Sequence, residues 1–146
     1  DVICSEDAQG FESVTASDAV ADALRDPDTG ELIPNRALLA VVSDVVGSVG
    51  IGKVFDTYTV TVTVIDTTTN DPITGATQTV LVNDEVVCPA VRPGDVLQKH
   101  DIQPNATFAL STISPFDVTL SVWVTACVIV ARETILKIRA GEPFCP

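Results

Sequence analysis

The sequence predicts a mainly β protein: an antiparallel β-sandwich or jelly-roll-like domain with an extended N-terminal arm and one or two short helices. Three observations predict it. Valine and threonine dominate the chain, and branching at Cβ suits both to a pleated surface. The stretch "VFDTYTVTVTVID" alternates with period 2, placing Tyr58, Val60, Val62 and Val64 on one face and threonines on the other. At least six strand candidates are separated by Pro, Gly, Asn and Asp turns, the pattern of a sandwich rather than a parallel α/β fold. With 146 residues the chain suits one domain with a substantial core.

Residues 1–13 read as an extended arm, polar apart from Val2, Ile3 and Phe11. Residues 14–50 read as a helical or strand cover. In "VTASDAVADALRDP", Thr15 is the expected helix cap, Asp18 stands at capping-box spacing, and Ala19, Val20, Ala23 and Leu24 form one apolar stripe that Pro27 ends. "DPDTGELIP" is a turn. In residues 36–46, Leu38, Leu39, Val42, Val45 and Val46 fit helical spacing with Asn35 as cap, while the valines argue for a strand. Helix is slightly favoured. Glycines 47, 50 and 52 then break the run.

Residues 51–146 make up the expected sandwich core. After the alternating strand, "TTTNDPITGA" is a turn and "TQTVLVNDEVVCPAV" one or two strands. "RPGDVLQKHDIQPNATFALSTI" supplies a short edge strand and a core strand split at Pro104 and Asn105. "FDVTLSVWVTACVIVA" is long and alternating, and "ETILKIRA" closes the set. The face of Tyr58, Val60, Val62 and Val64 is expected to pack on Val122, Val124, Ala126 and Val128.

Twenty acidic residues against eight Lys and Arg give a net charge of −12, concentrated in the first fifty residues. That field repels nucleic acid and anionic membranes, so neither is expected as a partner. The longest apolar stretches, "ALLAVV" and "VWVTACVIVA", fall short of a membrane span. The chain opens at Asp1 without an initiator methionine and reads as a mature or trimmed product.

The sequence does not point to an enzyme. Its one histidine, His100, has no nucleophile elbow to serve and reads as a loop or edge-strand residue. "VGSVGIG" lacks the strand–loop–helix context and the Lys-Ser/Thr of a phosphate loop. Asp26, Asp28 and Glu31 around Gly30 offer hard oxygens within six residues, a pattern calcium prefers, although the segment is far shorter than a helix–loop–helix calcium loop and more simply a solvated turn. Trp123 lies opposite Val122, Val124 and Ala126 on its strand and reads as a packing, interface or ligand-stacking residue. Asn105 begins an N-glycosylation triplet in an expected turn.

Cys4, Cys88, Cys127 and Cys145 form an even set without metal-ligand spacing, so disulfides are expected, with three pairings open within one chain. Two of the four stand at the chain's tips, where order is poorest. The expectation is that Cys4 or Cys145 bonds a different subunit, with an intrachain Cys4–Cys145 bridge as the rival.

Together these readings favour a non-enzymatic structural subunit, extracellular or on a particle surface. It would self-assemble as a homo-oligomer or polymer into a filament, coat or surface layer through sheet contacts and disulfides. The alternative is a secreted β-sandwich binding or adhesion module, with a glycan ligand or dependent on calcium.

Overall fold

The computed structural model describes residues 1–133. Six strands and one helix follow one another as β1 (Val2–Thr15), α1 (Asp18–Leu24), β2 (Arg36–Val49), β3 (Lys53–Asp66), β4 (Asp71–Val87), β5 (Val96–Leu110) and β6 (Val118–Ala131). They make two three-stranded sheets, β1-β6-β5 and β2-β3-β4, in which every neighbouring pair is antiparallel. The result is a mainly β, sandwich-like fold with a helical element. Edge strand β1 lies beside β4, and edge strand β5 beside β2, so the two sheets approach along both flanks.

The core follows from the alternation. Tyr58, Val60, Val62 and Val64 of β3 are fully buried, as are Val122, Val124 and Val128 of β6, with Ala126 nearly so. The β3 face and Val122, Val124 and Ala126 share one apolar cluster, as expected. Val128 joins a second, smaller cluster with Ala8, Val54, Val86, Cys88, Val91 and Val130. Each fully buried valine contributes on the order of 2 kcal/mol, so the two central strands account for much of the cohesion. α1 adds Val20, Ala21 and Leu24 to the first cluster.

Five expectations about the first half and the β5 region are corrected. Residues 1–13 are extended but are no free arm: β1 pairs with β6 from Val2 to Thr15 and buries Ala8 and Gly10. The helix is capped by Ser17, whose hydroxyl accepts from the Val20 amide, and not by Thr15. Residues 36–46 are strand, and β2 is a full member of its sheet rather than a cover over it. Asn35 does not cap a helix there; it takes a left-handed φ of 62° at the entry to β2.

Finally, Pro104 and Asn105 do not split the chain into two strands. β5 runs through both, with a bulge between His100 and Gln103. Proline is tolerated because β5 is an edge strand, where half the amides have no partner to lose. The "TQTVLVNDEVVCPAV" segment lies in the single strand β4 up to Val87. The expected "ETILKIRA" strand lies outside the described residues beyond Glu133.

Candidate functional site: a buried lysine–aspartate cluster

Across the second sheet, Gly47, Asp56 and Asp84 stand in one row, each paired to the next. All three lie on the inner face. Asp56 has the same parity as Val54 and Tyr58, and Asp84 the same parity as Val82 and Val86, all of which are buried. Asp56 itself is only 2 % exposed. From the opposite sheet, Lys99 of β5 reaches across the interior and brings Nζ to 2.7 Å from Asp56 Oδ1. Its side chain is 9 % exposed. The absence of a side chain at Gly47 makes room, since a Cβ there would overlap Lys99 Nζ and crowd Asp56 Oδ1. Lys99 Nζ also lies 6.0 Å from the centre of the Tyr58 ring, one row along.

Two carboxyls and one ammonium do not balance in a low-dielectric gap. The oxygens of Asp56, the oxygens of Asp84 and the Tyr58 hydroxyl are all sealed from water, and none has a hydrogen bond of regular geometry. Even the short Lys99–Asp56 contact is an ion pair outside hydrogen-bond alignment. Two facing carboxylates are acceptors only, so the arrangement calls for a proton on one of them. That proton falls to Asp84. Burial first, then the adjoining Asp56 carboxyl, push Asp84 up to about 7. Burial, followed by the charges of Asp84 and Asp56, holds the Tyr58 phenol protonated well above its ordinary range. The cluster thus contains a buried amine, a carboxyl in contact with it, and a second, proton-bearing carboxyl against the first.

The same end of the sandwich carries a disulfide. Cys4 of β1 is bonded to Cys88, just after β4, with Cα atoms 5.9 Å apart. Of the expectation that Cys4 or Cys145 fastens another subunit, the part on Cys4 is corrected, and so is the rival Cys4–Cys145 bridge: the Cys4 sulfur closes the flank of its own domain, where β1 meets β4. Cys127, on the outer-face parity of β6 with Trp123 and Thr125, is nonetheless buried and is also disulfide-bonded. Cys145 lies outside the described residues. Beside the Cys4–Cys88 bridge, Arg132 grips Asp95 through Nε at 2.8 Å and a second nitrogen at 2.9 Å. The Arg132 backbone also exchanges hydrogen bonds with Asp1. The Arg132 guanidinium, followed by the Arg92 amide, holds Asp95 down to about 2.

The remaining sequence candidates are dispersed. Asp26 Oδ1 accepts the Asp28 and Thr29 amides and so closes its own turn, with Gly30 at φ 75°. Among the described residues no group of three His, Cys, Asp or Glu is placed to hold a metal ion. His100 is exposed beside the β5 bulge, near Gln98. Asn105 is exposed, but in a strand rather than a turn, across from Trp123. Trp123 is half-buried on the outer face between Asn105 and Phe11.

Sequence reasoning passed over Asp56, Asp84 and Lys99. The signal was there in the alternation: Asp56 and Asp84 are charged residues in phase with runs of buried valine. No family model, no curated protein and no solved structure matches the chain, so its functional reading rests on these residues alone.

Proposed function

We propose that this disulfide-stabilised β-sandwich is a non-enzymatic structural subunit that self-assembles outside the cell or on a particle surface. The observation that carries the reading is the outer face of the β2-β3-β4 sheet. There Leu39, Val41, Val46, Phe55 and Leu81 flank the threonine column of β3 and are all between 44 % and 61 % exposed. Isolated apolar residues on a surface need no explanation, but five exposed on one face of one sheet suit burial against another protein. A second copy of the chain is the occupant proposed. Among the described residues β2 and β4 stand at the edges of their sheet, and a sheet edge is a further route to sheet extension. The Cys4–Cys88 bond supports an oxidising location.

Light scattering on size-separated protein, followed by electron microscopy of concentrated samples, tests the reading. Oligomers or polymers that Leu39→Lys together with Val41→Lys disperses would support it. A chain that stays monomeric at every concentration would overturn it.

One observation favours the adhesion alternative. Phe11, 57 % exposed, pairs with Trp123 on the outer face of the other sheet, near polar Gln9 and Asn105. An aromatic pair rimmed by amides suits stacking on a sugar ring. Binding to a glycan array that Phe11→Ala abolishes, with the fold intact, would favour it over assembly.

A further inference from the structure

We propose that Lys99 and Asp56 join covalently, forming an amide bond between the two sheets, with Asp84 as the catalytic acid. The inference is independent of the assembly reading, because it needs only one chain.

Proximity is the first argument. Nζ lies 2.7 Å from Oδ1 of Asp56. A carbon–oxygen bond of about 1.2 Å then puts Cγ within about 4 Å of the amine. That is one small side-chain adjustment from the separation of roughly 3–3.5 Å at which a held pair reacts as though at very high concentration. Nζ also stands outside hydrogen-bond alignment with the carboxyl, so no well-formed hydrogen bond holds the pair in its ionic arrangement.

The second argument is the surroundings. The two groups meet beside Val54, Val86, Val128 and the Tyr58 ring, with Lys99 and Asp56 both nearly shut off from solvent. Separated charges are penalised there, and a neutral amide is not. Water, which would otherwise drive the equilibrium toward hydrolysis, is excluded from the product.

The third is the proton inventory. The Lys99 ammonium passes a proton to the Asp56 carboxylate, leaving a free amine and a carboxylic acid. The amine lone pair attacks Asp56 Cγ and the new C–N bond forms. Asp84, which holds a proton near neutral pH because of its burial and its contact with Asp56, delivers that proton to the departing hydroxyl. The Cγ–O bond breaks and water leaves. Asp84 then takes back the surplus proton from the nitrogen. The sum is ammonium plus carboxylate giving amide plus one water, with no change of oxidation state and Asp84 regenerated. Because Asp84 touches the reacting carboxyl, it acts on the chemistry directly. Gly47 is the positioning residue: any larger side chain would occupy the amine's place.

The experiment is the mass of the intact, fully reduced chain, followed by peptide mapping. The expected result is a mass lower than that of the sequence by one water, and a branched peptide linking the segments around Asp56 and Lys99. Lys99→Arg should restore the full mass. Asp84→Asn should leave most molecules at full mass while retaining the wild-type circular dichroism. A reduced wild-type chain of full mass overturns the proposal, since no variant or folding question enters that measurement. A water loss that maps to any other residue overturns it equally. An Asp84→Asn chain that is linked as completely and as fast as wild type overturns the role given to Asp84.

Discussion

Gly47 on β2 and Lys99 on β5 compete for the same space: a Cβ on the glycine would overlap the lysine Nζ. The glycine is therefore the vacancy that lets a charge from one sheet enter the other. Gly47→Val should expel Lys99, leave Asp56 buried without its cation, and destabilise by about 3–5 kcal/mol, the usual result of breaking a buried pair from one side. Urea titration of the variant beside wild type checks this. A midpoint within error of wild type would mean that the interior gives way more easily than the packing indicates.

Val124 is fully buried at the centre of β6, in the same cluster as Val60 and Val62. Val124→Asp should bury an unpaired carboxylate and destabilise by more than about 4 kcal/mol. Thr125→Asp, one residue along on the exposed face, should change stability by less than about 0.5 kcal/mol. Equal melting temperatures for the two variants would refute the facing of the sheets.

Reading the sequence recovered the architecture where alternation was clean and missed it where alternation was interrupted. β6 was legible because every second residue is apolar from Val118 to Val130, and β3 because the same holds from Tyr58 to Val64. β2 was not, and the reason is its bulge between Val42 and Asp44. Leu38, Ala40 and Val42 face inward in strand phase, and the extra residue then moves the next inward position to Val45. The resulting spacing of three imitates a helix. β1 escaped because an edge strand needs few large apolar residues: Ala8 and Gly10 are its most buried positions. At Gly10 the partner sheet comes so close that a Cβ would strike Val82 and the Asn83 backbone. The site was half legible. Asp56 and Asp84 break the apolar phase of their strands visibly, whereas their meeting with Lys99 depends on which sheets face each other, and no local pattern encodes that.

Because β1 is an integral strand, removing residues 1–13 should abolish cooperative folding. The truncation strips the pairing with β6, opens the inner face at Val124 and deletes Cys4. Calorimetry is the measurement, and a sharp transition within a few degrees of wild type would contradict it.

The Cys4–Cys88 bond spans 84 residues. In the chain-entropy description a loop of that length stabilises by about 4–5 kcal/mol. Replacing both cysteines with serine should therefore lower the melting temperature strongly without creating or removing covalent oligomers. Disappearance of covalent oligomers on that double replacement would instead place the bond between chains.

Asp95 carries a defined acid response. Its folded pKa, about 2, lies below the ordinary aspartate value because Arg132 and the Arg92 amide favour the charged form. A depressed folded pKa contributes stability that is fully present above about pH 4 and is lost as pH falls toward 2. The stability difference between wild type and Asp95→Asn should thus be constant from neutral pH to about pH 5 and shrink below pH 4. A difference that persists unchanged at pH 2 would show that Arg132 does not act through the Asp95 charge.

Placing the Cys4–Cys88 bridge so early in the chain has a mechanical consequence. If the domain is pulled between Asp1 and Arg132, the load passes from Cys4 directly to Cys88 and bypasses every residue between them. At roughly 3.5 Å per extended residue, a hidden length on the order of 300 Å cannot unravel while the bond holds. β2, β3 and β4 lie wholly inside that shielded interval. Stretching the oxidised domain can therefore release little more than β5 and β6, and the second sheet is spared the force until the sulfur bond is reduced.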